Sequence, residues 1–222
     1  MIAAKEFDAR TIQRAYNRRS WVYSKTIARM EWQYHLTAIE MAHIQPGKKV
    51  LEVAVGPGLA MLELAKHVGR DTPIYGVDIS TSMLKLATQN LHSAGFSNLE
   101  LKEADSRDLP FDANQFDVVY NAYMLDLIPM QDMPIILKEY YRVLRPGGRL
   151  ILLNMSKSNL DQITSRERLY QVLPDKLVLY LMGGCRPVLM ESSVKEVGFE
   201  NVSRVFLDGK APSEVVLADK PG

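Results

Sequence analysis

Val50-Leu51-Glu52-Val53-Ala54-Val55-Gly56-Pro57-Gly58-Leu59 changes character twice in ten residues. It begins as an apolar run of Leu51, Val53 and Val55, residue types that suit a buried strand. It then bends through Gly56 and Gly58, which lack the Cβ that would obstruct a sharp turn or a close ligand. From Leu59 to Val68 the apolar residues Leu59, Met61, Leu62, Leu64, Ala65 and Val68 fall on one helical stripe, and Gly69 reads as its C-cap. A strand, a glycine bend and a helix open a doubly wound α/β domain that cradles a nucleotide.

The rest of the chain repeats that alternation. Residues 73–78 read as a second strand ending in Asp78, and Ser80 as the N-cap of a helix reaching about Ala94. Residues 98–104 alternate as a third strand, followed by Asp105-Ser106, and residues 116–121 form a fourth. A helix over 134–144 is stopped by Arg145-Pro146-Gly147-Gly148, and 149–154 is a fifth strand. Helical stretches over 163–182 and 188–197 precede two final strands, about 201–207 and 214–219. Strand–helix alternation implies a largely parallel sheet with right-handed crossovers. The short polar turn Asp208-Gly209-Lys210 implies a hairpin, so one of the last two strands runs antiparallel.

Composition narrows the function classes. The 222 residues suit one domain, or one with an appendage, and the 47% hydrophobic and 24% charged fractions are those of an ordinary globule. Lys+Arg of 27 against Asp+Glu of 26 gives a net charge of +1, which does not support a nucleic-acid partner. The single cysteine, Cys185, excludes an internal disulfide and a cysteine-rich zinc site. The four histidines show no metal-ligand spacing, and no metal is expected. The first residues lack the basic and apolar regions of a signal peptide, and no apolar run approaches the ~20 residues of a membrane span. A cytoplasmic protein is the expectation.

Residues 5 to about 45 read as two or more short helices. Between Ala9 and Met30 lie Arg10, Arg14, Arg18, Arg19, Lys25 and Arg29, with no acidic residue. Two readings stay open for this run: a surface that attracts anionic head groups, giving peripheral membrane contact, or a solvated helix face.

The first four strands end in polar signals, Glu52, Asp78, Asp105-Ser106 and Asn121, which a parallel sheet brings to one crevice. A carboxylate after the second strand can bridge two ribose hydroxyls. A carboxylate and hydroxyl after the third can meet an adenine edge. The inventory suits an adenosine with a zwitterionic tail. A dinucleotide fingerprint is incomplete, because Met61 stands where the third glycine belongs, and no Gly-Lys-Ser/Thr marks a P-loop.

Residues 50–58, Tyr75-Gly76-Val77-Asp78-Ile79-Ser80, Glu103-Ala104-Asp105-Ser106, Phe116-Asp117-Val118-Val119-Tyr120-Asn121 and residues 141–150 together resemble class I S-adenosylmethionine-dependent methyltransferases. The resemblance covers about residues 10 to 219. Within the class the chain looks most like the ubiquinone/menaquinone-biosynthesis C-methyltransferases and the bacterial phospholipid N-methyltransferases. It implies a Rossmann-like, seven-strand sheet with the last strand antiparallel, an N-terminal helical lid over 1–45 and a cofactor domain over 46–222. It implies S-adenosyl-L-methionine as cofactor and a small, lipid-like acceptor, a quinol carbon or a phospholipid amine.

Carried onto this sequence, the resemblance puts Asp78 on the ribose, Ile79 and Met83 beside the adenine, and Asp105 and Ser106 on its edge. Gly56, Gly58 and Asn121 fall along the methionine part, Glu52 near its ammonium, with Val53, Ala54 and Ala104 in the same wall. Tyr23 resembles the tyrosine that closes over the cofactor. Tyr16, Tyr123 and Asp126 are the substrate-facing candidates, and no residue identifies itself as a base. Ala54 replaces the first glycine of the family's Asp/Glu-x-Gly-x-Gly-x-Gly, and would be strained if its φ were positive. That departure motivates a turnover-deficient binding subunit as an alternative; a nicotinamide-dependent oxidoreductase is a third.

Overall fold

The computed structural model describes residue 11 and residues 27–158, 168–169, 172–174, 177 and 185–222. Five helices, α1 (Ile27–Ala42), α2 (Leu59–Val68), α3 (Thr81–Ser93), α4 (Met133–Val143) and α5 (Glu191–Val197), accompany seven strands. The strands are β1 (Val50–Val53), β2 (Ile74–Asp78), β3 (Leu99–Glu103), β4 (Phe116–Ala122), β5 (Leu144–Met155), β6 (Glu200–Leu207) and β7 (Ser213–Asp219).

They form one sheet in the order β3-β2-β1-β4-β5-β7-β6. The pairs among β1 to β5 are parallel. β7 is antiparallel to both of its neighbours, as the short hairpin connection requires. The expected seven-strand sheet with an antiparallel final strand is therefore met. The strand order reverses between β1 and β4, whose register pairs Glu52 with Tyr120 and Val53 with Asn121. That reversal is the switch point at which a crevice opens.

Two apolar layers cover the sheet. On one face Val50, Tyr120, Ile151 and Leu153 pack with Ala38 and Ile39 of α1, Met61 and Leu64 of α2, and Ala87 and Leu91 of α3. On the other, Leu51, Val119, Leu150 and Leu152 pack with Ile136, Leu137 and Tyr140 of α4 and Val194 of α5. The described part of the expected N-terminal lid, α1, thus shares its core with the sheet.

Local signals account for most element ends. Ser80 caps α3, its Oγ accepting the Met83 N–H at 3.2 Å. Gly69 closes α2 at φ 93°, donating its N–H to the Ala65 carbonyl. Three expectations need correction. β1 stops at Val53 because Ala54 turns into the left-handed region, leaving Val55 buried in the bend. The helix expected from 188 begins at Glu191, because residues 186–190 are irregular and tied to the sheet, Val188 N–H donating to Met155 O at 2.9 Å. β5 starts at Leu144 rather than 149, its pairing with β4 interrupted by a register shift. The helix expected over 163–182 lies almost wholly outside the described residues.

Candidate functional site

Two compartments open at the carboxyl ends of the strands, and Ala54 lines both. The first is walled by Val53, Val77, Asp78, Ile79, Ala104, Asp105, Ser106 and Arg107, and by Met124, Leu127 and Ile128. The second lies between α1 and the glycine bend, with Trp32, His35, Glu52, Gly56, Leu59 and Tyr123 in its wall.

Asp78, at the end of β2, organises the bend. Its Oδ2 accepts the Gly56 N–H at 2.8 Å and its Oδ1 the Ser80 N–H at 2.8 Å. Burial raises its carboxyl above the ordinary range, and these two donors oppose the rise. Glu52, one strand away, is 3% exposed. Burial, and then the charge of Asp78, push its carboxyl well above the usual value. Among the described residues, two buried acceptors at the switch point lack a donor, Glu52 Oε2 and Asn121 Oδ1, while Asn121 Nδ2 donates to the Val53 carbonyl at 2.8 Å. Such orphaned oxygens cost free energy until a donor arrives. The methionine part of S-adenosylmethionine, with its ammonium, is such a donor, so the residues present fit that cofactor.

The expected residues separate by position. Glu52, Val53, Ala54, Gly56, Asp78, Ile79, Ala104, Asp105, Ser106 and Tyr123 line the two compartments. Met83 and Asn121 are buried and line neither. Gly58 supports the bend from behind: a Cβ there would stand 2.9 Å from Ala87 and Leu91 of α3, and its φ is +80°. Asp126 lies deeper. It is completely buried, lines neither compartment, and its Oδ2 accepts the Met155 N–H at 3.0 Å. A carboxylate in the interior is held by the donors available there, and the end of β5 supplies one. Tyr123 lines the second compartment, but its hydroxyl is 3.0 Å from Ser213 Oγ. Tyr16 and Tyr23 lie outside the described residues.

Sequence reasoning missed two members. Arg107 grips Asp105 with Nε and Nη2, at 2.9 and 2.6 Å, and reaches Asp132 with Nη1 at 3.0 Å. Its hydrogen bonds hold the Asp105 carboxyl below the ordinary range. An adenine read by Asp105 must therefore share that carboxylate with a guanidinium. An arginine two residues after a strand-end aspartate was the available signal. The other is His35, whose Nδ1 lies 2.7 Å from the Tyr120 hydroxyl. Nothing in its local spacing distinguished it.

Ala54 adopts φ +63° and Tyr123 φ +50°, so two non-glycine residues with left-handed backbone meet in the second compartment. Such strain gathers at functional sites. Ala54→Gly removes a conformational penalty of about 1–2 kcal/mol, offset by about 0.4–1 kcal/mol of unfolded-chain entropy. The net gain of about 0–1.6 kcal/mol, at about 2–4 °C per kcal/mol for a domain of this size, predicts a rise in Tm of up to roughly 6 °C. A lower Tm in a thermal melt would show that the bend tolerates alanine without strain.

The family profile described as the ubiE/COQ5 methyltransferase family matches residues 7–183. The demethylmenaquinone methyltransferase of Geobacillus kaustophilus is 31% identical over 153 residues, covering 67% of this chain and 64% of that protein. The ubiquinone/menaquinone biosynthesis C-methyltransferase UbiE of Teredinibacter turnerae is 37% identical over 139 residues, 61% of this chain and 55% of that protein. The matches thus span less than two thirds of those relatives' lengths. Among solved structures, a SAM-dependent methyltransferase from Aquifex aeolicus superposes with a TM-score of 0.65 at 19% identity, over 97% of this chain and all of that one. Phosphoethanolamine N-methyltransferase 2 of Haemonchus contortus, in complex with S-adenosyl-L-methionine, gives 0.71 at 16% identity, over 95% of this chain and 60% of that one. These structures share the fold. With its profile match running through the strand-end carboxylates and the glycine bend, the chain belongs to the ubiE/COQ5 methyltransferase family.

Proposed function

We propose that this chain transfers the methyl group of S-adenosyl-L-methionine to a ring carbon of a quinol-type acceptor. The observation that carries the reading is the pair of compartments joined at Ala54, with Asp78 bordering the first and Glu52 the second. The family membership supports it, as do relatives whose names specify demethylmenaquinone and ubiquinone/menaquinone C-methylation. The family and these relatives give no support to nicotinamide chemistry or to a subunit without turnover.

In this reading Asp78 takes the ribose hydroxyls, Ile79 covers the adenine, and Asp105 and Ser106 meet its edge. Glu52 and Asn121 receive the ammonium, and Gly56 lets the backbone approach. The bound cofactor supplies an already activated methyl group. The chain's own contribution is alignment and exclusion of water. Trp32, Ala122 and Tyr123 give the second compartment an apolar wall for a flat ring. In this reading the basic residues between Ala9 and Met30 bring the protein to anionic lipid, where such acceptors dissolve.

The test is an assay with methyl-labelled S-adenosylmethionine and three candidate acceptors: a prenylated naphthoquinol lacking the ring methyl, a benzoquinol, and phosphatidylethanolamine vesicles. Label in a quinol ring is expected. Label only in the phospholipid would replace the acceptor, and cofactor binding without label in any of the three would favour a turnover-deficient subunit.

A further inference from the structure

A half-buried histidine lining the second compartment is paired with a buried tyrosine. His35 of α1 and Tyr120 of β4, 85 residues apart in sequence, stand 2.7 Å apart, Nδ1 to hydroxyl. Tyr120 is fully buried, and its register partner is Glu52, so the two side chains are neighbours on one face of the sheet. Burial, with the charge of Glu52, raises the Tyr120 phenol far above its ordinary value. The His35 ring meets Tyr123 at 5.5 Å and 64°, edge to face. With Nδ1 engaged by Tyr120, the remaining polar atom of the ring is Nε2, which no hydrogen bond engages among the described residues.

The other polar groups there are poorly placed to receive a proton. The Tyr123 hydroxyl is taken up with Ser213, and burial keeps it protonated. Glu52 stands beside the position proposed for the cofactor's ammonium, its carboxyl raised by burial and by Asp78. Glu31 and Glu52 are both almost fully buried.

We propose that Nε2 of His35 accepts the hydroxyl hydrogen of the methyl acceptor, with Nδ1–H donated to the Tyr120 oxygen. This rests on the quinol-type acceptor proposed above. As the acceptor carbon bonds the methyl group, the hydroxyl proton passes to Nε2 and the O–H electron pair becomes the new ring carbonyl. The electron pair of the broken carbon–sulfur bond stays with sulfur. The methylated carbon then loses its hydrogen to water, the ring regains its aromatic electrons, and His35 returns the borrowed proton to the oxygen. One proton is released overall.

The proton is handed back within the same turnover, so the base need hold it only transiently. Burial lowers His35 to about 4, so its Nε2 lone pair is free throughout the neutral range. Titratable groups face it from each element around the compartment: Glu31 from its own helix, Glu52 from β1, Tyr120 from β4 and Tyr123 from the turn that follows.

The test uses the full chain saturated with S-adenosylhomocysteine under anaerobic conditions. Two probes are titrated, naphthalene-1,4-diol and 1,4-dimethoxynaphthalene, which has no hydroxyl hydrogen. One net hydrogen bond predicts that the unaltered protein prefers the diol by about 2- to 12-fold. His35→Phe should abolish that preference without changing S-adenosylhomocysteine affinity. His35→Gln, whose amide oxygen still accepts, should restore part of it. In the unaltered protein, the ring nitrogen shifts should place the proton on Nδ1, and diol binding should move Nε2. A preference that survives in His35→Phe, or a ring proton on Nε2, overturns the role of His35 alone. Failure of the unaltered protein to bind the diol overturns the quinol reading and this inference with it. Should His35→Phe fail to fold, the nitrogen shifts of the unaltered protein still decide.

Discussion

Asp78→Ala is expected to weaken S-adenosylmethionine binding by at least about 100-fold. A carboxylate that accepts hydrogen bonds contributes roughly 1.5–3 kcal/mol for each, and each 1.4 kcal/mol is about tenfold in affinity. Two ribose hydroxyls on one carboxylate therefore account for two to four decades in principle. Alanine also strands the Gly56 and Ser80 N–H groups that Asp78 now satisfies, at 2.8 Å each. The bend would lose its tie to β2 and the entry to α3 one of its anchors. Calorimetric titration separates the two effects when run beside a thermal melt. Asp78→Asn keeps the shape and one acceptor, and should recover part of the stability but little of the affinity. Unchanged affinity in the alanine variant would remove Asp78 from the ribose and confine it to the bend.

A second large effect falls on stability, at the far side of the sheet. Glu214 of β7 is completely buried. Its Oε1 accepts the Met190 N–H at 2.8 Å, and its Oε2 accepts from Ser156 Oγ at 2.8 Å and Arg204 Nε at 2.5 Å. One carboxylate thus binds the residue that leads into α5, the residue that follows β5 and a guanidinium of β6. Removing one partner of a buried pair costs about 3–5 kcal/mol, because the other charge is left uncompensated. Glu214→Ala should therefore lower Tm by roughly 6–20 °C, at about 2–4 °C per kcal/mol for a domain of this size. Glu214→Leu combined with Arg204→Leu should be less damaging than Glu214→Ala, since a buried pair replaced by apolar residues is often close to neutral. Glu214 lines neither compartment, so affinity for S-adenosylhomocysteine measured well below Tm should not change. A fall of less than about 1 °C would mean that the pair merely offsets its own desolvation.

The sequence by itself determined the elements and the polar ends of the strands. These are local matters. Periodicity distinguishes β2 from α3 within twenty residues, Ser80 and Gly69 mark their helix ends through their own hydrogen bonds, and a parallel sheet must gather Glu52, Asp78 and Asp105 at one edge. Even the departure at Ala54 was legible, since a family position that favours glycine turned out to require φ +63°. What side chains do with one another across the fold was decided only by tertiary structure. Arg107 reaches on to Asp132, and Asp126 holds the Met155 amide. His35 reaches Tyr120 because α1 packs across the face of a sheet whose strands come much later in the chain. A buried polar group takes whichever partner the packing presents, and at separations of 25 to 85 residues no spacing in the sequence encodes that choice.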